Sequence, residues 1–218
     1  MGAGESMSVT TYWCAVKTYS EFERILTGAE DFATYVNKMY EAYDMYIKNT
    51  MFDTMVGYAN AIPAMWKRTG SLTDTGLREF CQLISTATGM PVRIMGTRTA
   101  LANVNALQNV NYISNEMKNE HYRTGALGMW EGIELVEIPQ VFVRKQIGTY
   151  ALDNSLLWVM PASEEKWIKL VNEGDTQLRT INDKDTLMDM TYEQEMMTKL
   201  GVSIMMNSTF GVWDVDAN

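Results

Sequence analysis

Apolar residues recur at Phe32, Val36, Met39, Tyr43, Ile47, Met51 and Met55, in steps of three and four. That spacing lays one stripe along a helix. Asp31 offers its N-cap, and the run reaches about Tyr58. Roughly 28 residues rising about 1.5 Å each make a rod of ~42 Å. Val36, Tyr43 and Ile47 are expected inside, whereas Lys38 and Asp44 lie off the stripe. Tyrosines at 35, 40, 43, 46 and 58 supply more aromatic surface than one buried stripe requires. Such a helix either spans a whole domain or meets partners on both sides.

The remaining pattern is mostly shorter. Ser8 to Val16 alternates and reads as a strand, and Ser20-Glu-Phe-Glu23 is a capping-box pattern opening a short helix that stops at Gly28. Ile62-Pro63 to Gly70 is a break. A helix follows from about Asp74, with Leu77, Phe80, Cys81 and Ile84 on one face and a stop at Gly89 and Pro91. Val92 to Met95 is a strand that runs through Gly96 and a Thr-Arg-Thr turn into a short helix at Ala100. Asn103 to Asn119 is rich in asparagine and is expected to be irregular. Strands are predicted at Ile133 to Ile138, Leu156 to Met160, Trp167 to Val171 and Gln177 to Ile181. Val202 to Met206 and Phe210 to Trp213 read as a terminal β pair.

Composition excludes several classes. Eighteen lysines and arginines against 27 acidic residues give a net charge of −9 without a basic stripe, and a dedicated nucleic-acid binder needs clustered cations. Cys14 and Cys81 are far apart and signal neither a disulfide framework nor a zinc site. There is no 18-residue apolar run. Met1-Gly-Ala-Gly-Glu-Ser6 lacks a secretory pattern and matches the myristoylation pattern only loosely. Eighteen methionines suit packing that adapts between states, and coding bias explains them equally well.

The candidate chemistry is sparse. The strand-turn-helix unit at Val92 to Leu101 carries neither a phosphate loop nor a nucleophile elbow. His121 sits in the polar stretch Lys118 to Arg123 and reads as a solvated or structural residue. Glu164-Glu165 and Asp183 to Asp189 lack the spacing of a calcium loop. Asn207-Ser-Thr209 is an incidental sequon. Arg98 is placed to hold an anion at a helix start or to pair with a carboxylate of a neighbouring chain, and the second is favoured. No cofactor or metal site is read from these residues, so a structural or assembly role gains weight, but elimination alone leaves only a soluble α+β protein.

The order of segments then resembles a known family. A tyrosine-bearing long helix precedes Gly96-Thr-Arg-Thr-Ala-Leu101. Gly125-Ala-Leu-Gly-Met-Trp-Glu-Gly-Ile-Glu-Leu-Val-Glu-Ile-Pro139, Leu156-Leu-Trp-Val-Met-Pro161 and a β segment ending in Gly211-Val-Trp-Asp214 follow. This is similar to the major capsid proteins of tailed bacteriophages, whose fold is shared with encapsulin shells.

The resemblance, over about residues 8–216, implies an α+β phage major capsid protein fold with two domains. A peripheral domain, 8–70 plus 185–218, would carry the long spine helix. An axial domain, 71–184, would surround a small sheet. The implied function is structural and not enzymatic: a subunit of an icosahedral phage or prophage capsid enclosing double-stranded DNA. Its partners would be copies of itself in hexamers and pentamers, a scaffold or maturation protease, and a portal. DNA would be held without sequence-specific contact, and no membrane would be involved. Such a chain would reside in the virion capsid after assembly in the bacterial host cytoplasm. Tyr35, Tyr40, Tyr46 and Arg98 are the expected subunit contacts. The family's N-terminal arm and extended loop have no counterpart here, so the chain is read as a fragment or a shortened relative, and as a monomer or small oligomer when alone. An encapsulin-like shell around protein cargo is one alternative. A small hydrolase or transferase using His121 or the Asp183 loop is another.

Overall fold

A computed structural model describes residues 8–21, 23–24, 27–28, 31–107, 128–143, 146–164, 166–181, 191–206 and 208–215. The chain divides into two compact units, Met1–Thr54 with Ile168–Ile204 and Met55–Trp167 with Met205–Asn218.

The first unit holds a sheet built around one long strand. Here β1 is Tyr12–Glu21, β7 is Ile168–Asn172, β8 is Gln177–Ile181 and β9 is Thr191–Ile204. β9 pairs antiparallel with β1 along one edge, from Tyr12↔Leu200 to Glu21↔Thr191. Its other edge takes β7 (Ile168↔Ile204 to Asn172↔Leu200) and then β8 (Gln177↔Met197 to Ile181↔Glu193). Five residues of advance from Asn172 to Gln177 meet three on β9, so β7 and β8 act as one strand with a two-residue bulge at 173–176. Gly174 supplies the positive φ of 81° there. Inward positions alternate along β9: Gln194, Met196, Thr198 and Leu200 are buried, with Cys14 and Val16 of β1 beside them. Met39 and Met196 form the unit's small apolar cluster, with Tyr43 against it.

The long helix, α1, runs unbroken over Phe32–Ala61, and the Ala33 N–H donates to Asp31 Oδ1 at 3.4 Å. Its stripe differs from the expected one. Val36, Tyr43, Ile47 and Met51 are only half-buried, and the buried residues are Met39, Phe52, Met55 and Ala59. Ser20 belongs to β1 rather than to a capping box, and Phe22, Ile25 and Leu26 of the expected short helix lie outside the described residues.

The second unit has a six-stranded sheet in the order β2-β10-β6-β3-β5-β4. The strands are β2 Lys67–Thr69, β3 Val92–Gly96, β4 Met129–Trp130, β5 Ile133–Glu137, β6 Leu156–Pro161 and β10 Gly211–Asp214. Two helices, α2 (Asp74–Thr88) and α3 (Arg98–Ala106), cover one face. Thr73 caps α2 by accepting from the Gly76 N–H, and Gly89 closes it in the left-handed region at φ 68°. Leu77, Phe80, Cys81 and Ile84 are buried, as their spacing predicts. They join Ile94, Ala100, Leu101, Val104, Trp130, Leu135, Leu157, Val159 and Trp213 in one core. The other face carries Trp158, packed on Trp167 and Phe210, with Tyr58 stacked on Phe210. All six residues of β6 are therefore buried. Gly211 is required by packing, because a Cβ there would run into the Phe80 ring.

The expected partition at 70, 71 and 184 is shifted. β7 and β8 belong with the first unit because β9 needs a partner on its second edge. The terminal segment does not form a β pair with itself. β9 stays in the first unit, whereas β10 inserts between β2 and β6 of the second. α3 also continues through Asn103 and Asn105, where irregular structure was expected.

Candidate assembly surfaces

In the first unit the exposed large apolar residues lie on β1, on α1 and on β7–β8, where Leu170, Val171 and Leu178 face solvent. β1 points Cys14, Val16 and Ser20 inward, so Trp13, Ala15, Lys17 and Tyr19 share the solvent face. Trp13 and Tyr19 are 60% and 74% exposed. Lys17 pairs with Glu193 at 2.6 Å. The sequence reading missed this face, although aromatic residues alternating against Cys14 and Val16 were its visible signal. On α1, Tyr40 and Met45 are exposed and Tyr46 is half-buried. The side chain of Tyr35 lies outside what the structure describes. The bulge between β7 and β8 is strapped by Glu173, which accepts from the Thr11 hydroxyl and pairs with Lys199 at 2.8 Å. These two partners hold the Glu173 carboxyl below its ordinary range.

In the second unit Arg98 is the first residue of α3 and is exposed, after the buried N-cap Thr97, whose hydroxyl accepts from the Ala100 N–H at 3.3 Å. A small hairpin stacks Phe142 on Tyr150 and carries Ile147, 97% exposed. Arg78 grips Glu131 through two hydrogen bonds and Asp74 at 2.9 Å. Hydrogen bonding to Arg78 lowers the Glu131 pKa. The same grip fixes a tight turn between β4 and β5, with φ 48° at Glu131 and 81° at Gly132.

The enzyme alternative gains nothing from the cysteines. Cys14 and Cys81 are buried and take part in no disulfide, and burial pushes the Cys81 thiol up to about 12, far from a reactive thiolate. His121, Glu165, the Asp183 to Asp189 run and Asn207 lie outside the described residues. Among the described residues no helix is long and apolar enough to cross a membrane.

No curated protein matches the chain in sequence. Solved structures match its fold over nearly its whole length. A chain from Microbacterium phage Oxtober96 superposes with a TM-score of 0.61 at 12% identity, covering 95% of this chain and 73% of that one. A chain of the holo-SrpI encapsulin complex from Synechococcus elongatus PCC 7942 gives 0.58 at 10%, covering 94% and 74%. The asymmetric unit of the bacteriophage PhiM1 mature capsid gives 0.54 at 11%, covering 96% and 72%. The mixed helix-and-sheet architecture is thus that of phage capsid proteins. A family model described as "SPbeta prophage-derived putative capsid protein YonB" matches residues 1–214. The chain belongs to this YonB family of prophage-derived capsid proteins.

Proposed function

We propose that the chain is a structural subunit of a phage or prophage capsid, assembling with copies of itself into an icosahedral shell around double-stranded DNA. The carrying observation is the capsid family match over residues 1–214, on a chain whose fold is that of phage capsid proteins. In this reading the first unit corresponds to the peripheral domain and the second to the axial domain, with hexamers and pentamers forming around the latter. Tyr35, Tyr40, Tyr46 and Arg98 serve as subunit contacts. The net charge of −9 keeps packaged DNA from adhering to the wall. Scaffold, maturation protease and portal act as partners, and assembly takes place in the bacterial cytoplasm. No catalytic step is assigned to the chain.

The encapsulin reading has an observation of its own, the nearly equal likeness to the encapsulin complex. Expression of the gene with its neighbours, followed by negative-stain microscopy and content analysis, separates the two. Closed shells holding DNA support the capsid reading, and shells holding a protein cargo support the encapsulin one. Absence of any particle, even with the neighbouring scaffold and protease genes, would overturn both.

A further inference from the structure

We infer that the outer edge of β1 is a self-pairing interface, taking the β1 strand of a second copy antiparallel about Val16. The inference rests on the reading of this chain as a self-assembling subunit and names one of its contacts. β1 is ten residues long, a ladder of roughly 33 Å. Among the described residues no strand occupies its outer edge.

The direction of its polar groups follows from its neighbour. Lys199 accepts from the Glu173 N–H on the β7 side of β9, so its partner Trp13 turns its own N–H and C=O away from β9. Along the strand, Trp13, Ala15, Lys17, Tyr19 and Glu21 therefore aim their backbone groups at the open edge. Natural edges are usually blunted by proline, bulges or clustered charge. The β7–β8 edge has its bulge at 173–176, whereas β1 has no proline, keeps an unbroken register and carries only Lys17 and Glu21 as charges. In a chain of net charge −9 the two charges of β1 are of opposite sign, so the strand itself adds no net repulsion toward a second copy.

The occupant is selected by register. A two-fold axis normal to the sheet keeps both copies' faces aligned, so odd residues must meet odd residues for the outward groups to bond. Centring on Lys17 sets two ammonium groups opposite each other and Trp13 opposite the partner's Glu21. Centring on Val16 sets Trp13 against the partner's Tyr19 and Ala15 against the partner's Lys17, with all of β1 except Glu21 in the ladder. The aromatic pairs then lie on the solvent face, where Trp13 and Tyr19 are exposed, and cross-strand pairs of this kind stabilise sheets. One strand edge buries less than a stable dimer needs, which suits one weak contact among many in a shell.

Ala15→Pro tests the edge, because it deletes an N–H aimed outward and leaves the β9 ladder intact. In sedimentation equilibrium of the whole chain, the wild type should self-associate with concentration. The variant should do so at least about tenfold more weakly, with unchanged circular dichroism. Thr18→Cys tests the register: mild oxidation should join the new thiol to Cys14 of the partner subunit, its non-hydrogen-bonded opposite, where Cβ separations suit a disulfide. If Ala15→Pro does not fold, this cross-link alone decides. Wild-type association that Ala15→Pro leaves unchanged, a cross-link mapped elsewhere, or a wild type that never self-associates would each overturn the inference. Closed shells seen by microscopy under those outcomes would leave the capsid reading standing.

Discussion

The two sheets of this molecule solve the burial problem in opposite ways. In the second unit β6 is covered on both faces, with α2 and α3 on one side and Trp158, Trp167 and Phe210 on the other. Its neighbour β10 passes so close to α2 that Gly211 has no room for a side chain. In the first unit β9 has partners on both edges, yet its inward row mixes Gln194 and Thr198 with Met196 and Leu200. From Tyr40 to Met51, α1 contains no fully buried residue. One unit finishes its core within the chain. The other leaves aromatic side chains exposed and, among the described residues, one sheet edge without a partner strand.

This contrast is broken most directly by truncation in each core. Phe80 is fully buried, meets Trp213 edge-on at 5.8 Å and fills the space above Gly211. Phe80→Ala should cost about 3–5 kcal/mol. Met39→Ala in the first unit should cost about 2 kcal/mol, the low end for such a change, because flexible neighbours can close the gap. Urea denaturation of both variants measures the ranking. A larger loss at Met39 would mean that the first unit is the better packed of the two.

The same contrast explains what the sequence disclosed. α2 was legible to the residue because cap, apolar stripe and left-handed stop all agree at Thr73, Leu77 to Ile84 and Gly89. The length of α1 was legible but its stripe was not. Alanine, methionine and tyrosine surround the helix, so three-and-four spacing fits more than one face. β9 was largely hidden: Glu193 to Leu200 has the composition of a helix, overruled by strands on both edges. The polar end of β1, Thr18 to Glu21, was hidden likewise, since its partners at 191–194 include glutamate and glutamine. β2 and β4 are too short to carry a period. Of the expected contacts, Tyr40 and Arg98 lie on the surface. The β1 edge was missed because its openness is a property of pairing, not of residue type.

A smaller effect sharpens the comparison along α1. Ile47 was expected in the core and is half-buried, so Ile47→Ala should cost about 1 kcal/mol, well below a full core truncation. Asp44 is exposed and pairs with Lys48 at 2.6 Å, one turn away. Asp44→Ala should shift stability by about half a kcal/mol or less. Thermal melts place both, and a core-sized loss at Ile47 would show that the helix is more completely covered than its side chains indicate.

The smallest global effect is expected from the two strapped turns, one in each unit. Glu131 holds the β4–β5 turn to Arg78, and Glu173 holds the bulge to Lys199 and Thr11. Both carboxyls lie below their ordinary value of 4.5 because hydrogen bonds favour the charged form. A depressed carboxyl contributes stability that is fully present above the ordinary value and is lost as pH falls through the lowered one. Both groups face solvent, so the loss should loosen each turn without unfolding either unit. Arg78→Gln should raise the Glu131 titration midpoint toward 4.5 in an NMR pH series while leaving Glu173 unmoved. A midpoint indifferent to Arg78 would mean that the turn, with its φ of 48° at Glu131, is held by the hairpin backbone alone.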